Sequence, residues 1–515
     1  MLFDHANVRP DEIAVDDLHR RCTWAELVDR SVRCGRMLQD QFGLRAGDRA
    51  AMVVGNRVEF LELQLGALLA GVWITPVNWH LTADEMAFIF DDGDAGLIVV
   101  DAPFSSTAHD AVRDRPVLAV GSDLEAAIAD ASDEPFAMDG PAGGTMFYTS
   151  GTTGRPKGVR RSTQVRLGDQ LASYGAAGHA LGLDGSGSHL VTGPLYHAAP
   201  VGFAVMDLHN GAPIVIMPKW DAEHCLDLID ARAVRNTHLV PTMFVRLLRL
   251  PDARRRAFSG RSLHTVLHGA APVSREVKTE MISWWGPALV EYWGASEGGV
   301  VTLVGAEDWL AHPGTVGRPI PNHRVIVADP DSGEVLPTGE MGTLWCENRT
   351  VLDAYQSGIG DGRVFSYHND EGKTAAASRA PGTYSIGDLG WVDEEGFVYL
   401  ADRASHMIIS GGVNIYPAEV EQVLAAHPSV ADAAVFGIPD DEWGESVKAV
   451  VELVDGVDPH DDLVDEILAF ARTRLAGFKV PRNVDFIEAL PRHDSGKLYV
   501  RQLRDPYWEG RSRRI

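Results

Sequence analysis

Runs of aliphatic and β-branched residues at 50–54, 96–100, 213–217 and 237–240 alternate with segments, 60–70 and 222–231, whose apolar positions recur at helical spacing. A strand covered on both faces reads as an unbroken apolar run, and strands separated by helices line up in parallel. The alternation therefore predicts layered α/β sheets, mainly parallel. Ahead of them, Thr23-Trp24-Ala25-Glu26 has the form of a capping box, in which the threonine hydroxyl and the glutamate carboxylate each take a backbone N–H at a helix start. Leu27, Val28, Val32, Met37 and Leu38 follow at roughly helical spacing and predict an amphipathic surface helix. The most apolar stretch, 65–77, follows Glu59, Glu62 and Gln64 and falls short of the roughly 20 residues that cross a bilayer. It predicts a buried helix running into a strand.

Beyond Asp388 the pattern changes. Trp391-Val392 and the run 397–400 flank Asp393-Glu394-Glu395-Gly396, which reads as a hairpin around a turn. Pro417 suits the first turn of a helix carrying Val420, Val423 and Leu424, with Pro428 just past its end. Strand-like runs at 433–438 and 447–454 and a helix near 462–475 complete a compact α+β unit. We place a boundary near Ser405, giving domains 1–404 and 405–515. There is no internal repeat and no low-complexity segment.

Composition narrows the class. The 515 residues, 45% hydrophobic, exceed one ordinary domain. A formal charge of −26, from 46 Lys+Arg against 72 Asp+Glu, leaves no general basic field for nucleic acid or an anionic bilayer. Cys22, Cys34, Cys225 and Cys346 are scattered without a CxxC pair, which argues against a zinc site and a disulfide framework. The first residues, MLFDHANVRPDEIAV, lack the basic and apolar regions of a signal peptide. A cytoplasmic protein without stable membrane insertion is expected.

The chemistry concentrates first in Tyr148-Thr149-Ser150-Gly151-Thr152-Thr153-Gly154-Arg155-Pro156-Lys157-Gly158. Glycines let the backbone approach closely, hydroxyls and N–H groups donate to phosphate oxygens, and the lysine adds a point charge. Lys157 is followed by glycine rather than Ser or Thr, so this is not a Walker A loop. The string resembles the signature of the adenylate-forming superfamily of acyl-CoA synthetases, luciferases and nonribosomal-peptide adenylation domains. Pro194-Leu195-Tyr196-His197, Gly269-Ala270-Ala271-Pro272, Tyr292-Trp293-Gly294-Ala295-Ser296-Glu297, Gly387-Asp388, Asp402-Arg403 and Ser495-Gly496-Lys497 match further motifs of that family in the same order.

The resemblance implies an α/β fold: a large N-terminal adenylation domain of layered sheets with a β-barrel-like subdomain, and a small, mobile α+β C-terminal domain. It implies an acid–CoA ligase that uses ATP, Mg²⁺ and coenzyme A, forming an acyl-adenylate and then a thioester. By the same resemblance Thr149, Ser150, Gly151, Thr152, Thr153, Gly154 and Lys157 grip phosphate, Glu297 holds Mg²⁺, and Lys497 bridges the carboxylate and the α-phosphate. Gly269, Ala270, Ala271, Glu291, Tyr292 and Ser296 enclose adenine and the α-phosphate, with the run 263–267 as the strand beneath. Asp388 accepts the ribose hydroxyls and Arg403 adds a ribose or phosphate contact. His197 gates an acid pocket that also includes Val201, Phe203, Trp293, Gly294 and Ala295. Ser405 is the hinge for rotation of the small domain, and Ser410, Gly411 and Gly412 line the pantetheine tunnel. Three positions depart from the family: Ser405 replaces the usual Asp or Lys, His406 a common acidic residue, and Ile409 a lysine of many long-chain enzymes.

The segments expected around the acid, 198–203, 269–271 and 293–295, contain no lysine or arginine to meet a second carboxylate. An apolar monocarboxylic acid, whether fatty, aromatic or alicyclic, is therefore expected. An acyl-AMP ligase that loads a separate carrier protein is the alternative; the short stretch after Lys497 leaves no room for a fused carrier. A catalytically silent nucleotide-binding relative is a third reading, disfavoured by the presence of Lys157, Glu297, Asp388 and Lys497. A luciferase-like oxygenase would need a special substrate. Relatives of this kind often dimerise, so a homodimer stays open, although no heptad or interface patch marks one.

Overall fold

Thr23 accepts the Glu26 N–H and the Glu26 carboxylate takes the Thr23 N–H in return, so the helix Trp24–Asp40 begins at the capping box. It buries Trp24, Leu27, Val32, Met37 and Leu38 on one face and packs on the helix Val58–Leu69. Glycines permit that approach: a Cβ added to Gly66 would stand 2.6 Å from the Cβ of Cys34. These helices belong to a computed structural model that describes residues 2–149, 156–161, 165–271, 273–403, 407–410, 413–440, 443–492 and 498–509.

Val58–Leu69 leads into the strand Trp73–Pro76, the helix and strand expected of 65–77. The helix starts at Val58, slightly ahead of the helical spacing read at 60–70, so Glu59 as well as Glu62 lies inside it, 6% and 0% exposed. Guanidinium groups make that burial tolerable: Arg30 and Arg20 reach Glu62 at 2.7 and 2.9 Å, and Arg57 reaches Glu59 at 2.7 Å.

Arg49–Val53, Trp73–Pro76, Ile98–Val100, Val117–Ala119 and Gly144–Thr145 form a five-stranded parallel sheet. A second, larger sheet runs in parallel from Ile13–Asp16 through Ile214–Ile216, Ser188–Val191, Val234–Leu239 and Thr265–His268 to Leu289–Ala295. Its first pairing joins distant parts of the chain, Val15 opposite Ile214. From Leu289–Ala295 it becomes antiparallel through Gly299–Gly305 and Thr315–Pro319 into Val398–Arg403, Asp388–Val392 and Gly342–Asn348. The hairpin expected around 393–396 is present, with Trp391 opposite Tyr399 and Val392 opposite Val398. This antiparallel half has its own core, including Val316, Val327, Leu344, Phe365 and Val398.

Residues 408–492 build a separate α+β unit. Pro417 opens the helix Pro417–Ala425, Val430–Asp440 pairs antiparallel with Gly444–Leu453, and the helix Asp461–Arg472 follows. Ile408, Val420, Leu424, Val435, Val451 and Ile467 share its core. Its sheet shares no strand with the larger ones among the described residues. Among those residues no helix is long and apolar enough to cross a membrane, and all four cysteines are free and buried.

Candidate functional site

The glycine-rich segment joins two strands of a small antiparallel sheet, Phe147–Thr149 and Lys157–Arg161, whose third member is Phe365–Tyr367. Thr149 stands opposite Lys157, so the segment leaves and re-enters the sheet at neighbouring positions. Ser150, Gly151, Thr152, Thr153 and Gly154 lie outside the described residues. The Lys157 ammonium sits 4.8 Å from the centre of the Tyr367 ring. Burial lowers its pKa and the nearby Lys373 adds to this, while Asp370 and Glu297 oppose it. The Tyr367 hydroxyl donates to Glu297 Oε1 at 3.1 Å, and Arg161 Nε donates to the Ser296 carbonyl at 3.0 Å. The exit of the loop and Ser296-Glu297 are thus tied together.

A cleft of about 1750 Å³ lies between the two domains, walled on one side by Gly269, Ala270, Ala271, Tyr292, Trp293, Gly294 and Asp388, and on the other by Tyr416, Arg492, Leu498 and Arg504. Gly269 and Ala270 turn tightly after the strand Thr265–His268. A Cβ on Gly269 would come within 2.6 Å of the Tyr292 carbonyl oxygen and 2.9 Å of its ring, and Ala270 holds φ +66°, a conformation most side chains avoid. Asp388 begins its strand and is 7% exposed; Trp293 Nε1–H donates to its Oδ2 at 2.7 Å. Arg403 stands opposite Asp388 in the strand pair, and its side chain lies outside the described residues.

Glu291 also borders the cleft, but its carboxylate bonds to the buried ammonium of Lys278, which lies 4.6 Å from the Trp309 ring centre. Burial lowers the Lys278 pKa and raises that of Glu291, and each partner's charge partly offsets the effect. Of the residues expected to form the acid pocket, Trp293 and Gly294 face the cleft. Phe203 packs edge-on against Tyr292 at 5.2 Å, and Val201 is fully buried in the large core. His197 precedes the helix Ala198–Asn210 with its ring 4.5 Å from that of Tyr196, and Ala295 ends its strand. The Tyr292 hydroxyl lies 3.1 Å from His238 Nε2. Burial pulls the His238 pKa down to about 3, with His189 and His197 adding to it, so this ring is neutral near pH 7.

In the small domain Ser410 ends the strand Ile408–Ser410 and pairs with Gly444. Ser405, Gly411, Gly412 and Lys497 lie outside the described residues; Leu498, next to Lys497, bridges Arg492 and faces the cleft. Sequence reasoning did not find Tyr367, Lys278, Arg161 or His238. No motif marks them, and Tyr367 meets Glu297 across 70 positions of chain.

A large α/β sheet domain faces a small α+β domain across a cleft, which is the architecture of a two-domain enzyme. The AMP-binding enzyme family matches residues 2–356 and the AMP-binding enzyme C-terminal domain matches 419–497, so the chain belongs to this adenylate-forming family of AMP-forming acid–thiol ligases. It is 32% identical to a feruloyl-CoA synthase of Amycolatopsis sp., over 97% of this chain and 96% of the relative. It is 30% identical to the fatty acid–[acyl-carrier-protein] ligase ScoC of Streptomyces coeruleorubidus, over 99% and 96%. The fold is similar to that of the o-succinylbenzoate CoA synthetase of Bacillus subtilis in complex with its acyl-adenylate intermediate, with a TM-score of 0.81, 28% identity and coverage of 98% and 97%.

Proposed function

We propose that this protein is an ATP-dependent acid–CoA ligase acting on an apolar monocarboxylic acid. The observation that carries the reading is the cleft, where Gly269–Ala271, Tyr292, Trp293 and Asp388 of one domain face Arg492 and Leu498 of the other. In the first half-reaction the acid's carboxylate oxygen attacks the α-phosphorus of ATP and the bond to pyrophosphate breaks. Lys157 and the loop hydroxyls oppose the charge of the departing phosphates, and Lys497 offsets the repulsion between carboxylate and α-phosphate. Gly269, Ala270, Ala271, Tyr292 and Ser296 enclose the nucleotide base and α-phosphate; Asp388, aimed by Trp293, accepts the ribose hydroxyls, with Arg403 beside it. Glu291 shapes this wall through Lys278 rather than by a free carboxylate.

Glu297 is the residue that would hold Mg²⁺. Its chemistry fits: a nearly buried carboxylate, one oxygen of which takes a tyrosine hydroxyl, with the Lys157 ammonium close enough to feel its charge. Mg²⁺ prefers one or two carboxylates plus phosphate oxygens and waters. When bound, the ion supplies charge neutralisation to the phosphates.

In the second half-reaction the thiol sulfur of coenzyme A attacks the acyl carbonyl carbon and the bond to AMP breaks. The unit 405–515 rotates about Ser405, withdrawing Lys497 and bringing Ser410, Gly411 and Gly412 to the pantetheine arm. The Phe203, Tyr292 and neutral His238 cluster supports an apolar acid, with Val201 and His197 nearby. A ligase for a carrier protein is the second reading, favoured by the similarity to ScoC.

The test is incubation with Mg²⁺, ATP, coenzyme A and a panel of carboxylic acids, following AMP and thioester by mass spectrometry, with Lys497→Ala as control. Acyl-CoA from some acids, lost in Lys497→Ala, supports the proposal and identifies the acid class. Acyl-AMP without thioester points to a carrier protein as acceptor. Neither product across the panel favours a silent relative.

A further inference from the structure

Tyr367 touches two groups that the motifs assign to the phosphates, although it lies in no motif itself. Its place is set by the small sheet: Tyr367 stands opposite Val159, and Lys157, two residues before Val159, shares that face. Diagonal neighbours on one face are within reach of a long side chain. The Tyr367 N–H donates to Thr374 Oγ1 at 2.9 Å and its ring meets Phe365 edge-on at 5.1 Å, so both backbone and ring are fixed. From that position the hydroxyl meets Glu297 Oε1 at 3.1 Å and the ring face lies 4.8 Å from the Lys157 ammonium.

One side chain thus serves an anion at its edge and a cation on its face. The neutral phenol can donate to a carboxylate and fix its rotation, leaving Oε2 of Glu297 directed elsewhere. The π face attracts an ammonium without neutralising it, and in this structure it holds Lys157 beside Glu297. The Asp370–Lys373 pair nearby, at 2.5 Å, adds charges of both signs around Lys157.

We propose that Tyr367 is a positioning residue for both phosphate-facing groups: its hydroxyl orients the Glu297 carboxylate for the metal and its ring holds Lys157 beside that carboxylate. The inference rests on the reading of Glu297 and Lys157 given above. Groups that orient a metal-binding carboxylate typically change metal affinity by about ten- to a hundredfold when removed. Tyr367→Phe removes only the hydroxyl. It should raise the Mg²⁺ concentration for half-maximal pyrophosphate release about tenfold, with kcat at saturating Mg²⁺ within about twofold of wild type. Tyr367→Leu should in addition weaken nucleotide binding at saturating metal, because the ring face is gone.

Calorimetric titration of the intact protein with α,β-methylene-ATP at several Mn²⁺ concentrations reads metal and nucleotide binding without turnover, and thermal unfolding monitors folding. Glu297→Gln is run in parallel. A shifted metal dependence in Tyr367→Phe with unchanged thermal stability supports the inference. Wild-type metal dependence in Tyr367→Phe, while Glu297→Gln shifts it, overturns the inference alone. Wild-type metal dependence in Glu297→Gln overturns the metal reading of Glu297, and the inference with it.

Discussion

Replacing Trp293 by phenylalanine keeps an aromatic ring in the cleft wall but removes the N–H that meets Asp388 at 2.7 Å. The carboxylate is 7% exposed, so water replaces that donor poorly. A hydrogen bond to a charged group contributes about 1.5–3 kcal/mol. If the bond serves to aim Asp388 at the ribose, nucleotide affinity should fall by roughly ten- to a hundredfold, since about 1.4 kcal/mol is a factor of ten. Calorimetric binding of AMP reads this directly, and pyrophosphate exchange reads it under turnover. Asp388→Asn and the double variant complete a cycle in which the two changes should be strongly non-additive. An unchanged AMP affinity in Trp293→Phe, with native thermal stability, would refute the idea that Trp293 positions Asp388.

Further outcomes follow from other contacts. Lys278→Met leaves the Glu291 carboxylate buried without its partner and should cost about 3–5 kcal/mol in chemical denaturation, with much of the loss recovered by adding Glu291→Leu. Gly269→Ala forces a methyl group to within 2.6 Å of the Tyr292 carbonyl oxygen and should abolish adenylation in a pyrophosphate-exchange assay, whereas Thr23→Ala should cost about 1 kcal/mol of stability and leave exchange unchanged. His238 has a folded pKa of about 3 against an ordinary 6.5, so between those values the unfolded chain binds the proton and the folded chain does not. Its contribution is full above pH 6.5 and is lost as pH falls toward 3; His238→Gln should flatten the fall in denaturation free energy between pH 7 and 5. His189, His197 and Tyr292 face the same ring and remain in the variant.

Much of the fold was legible because its signals are local. The capping box at Thr23–Glu26, the helix Ala222–Ala231 and the first-turn proline at 417 each declare a boundary within a few residues. Short strands without an apolar run, such as Phe365–Tyr367 and Asn483–Ile487, gave no such signal, because pairing rather than periodicity makes them strands. The motif residues Gly269, Tyr292, Trp293 and Asp388 do come to one cleft. What the chain order could not express is how their side chains are occupied. Glu291 is committed to Lys278, thirteen positions earlier, and Glu297 to Tyr367, seventy positions later.

The pairing of Val15 with Ile214 has a consequence for synthesis. A chain emerging from the ribosome at roughly 5–20 residues per second exposes the strand Ile13–Asp16 for some tens of seconds before its parallel neighbour is made. Its antiparallel partner Arg21–Thr23 arrives at once, so the nascent segment waits as a short hairpin with one open edge. The five-stranded parallel sheet, by contrast, draws every strand from Arg49 to Thr145 and can close while the larger sheet still lacks its centre. Translation thus delivers a finished small layer first and covers the N-terminal strand only when residues 214–216 are made, which makes that interval the stage at which a pause or a chaperone would act on this chain.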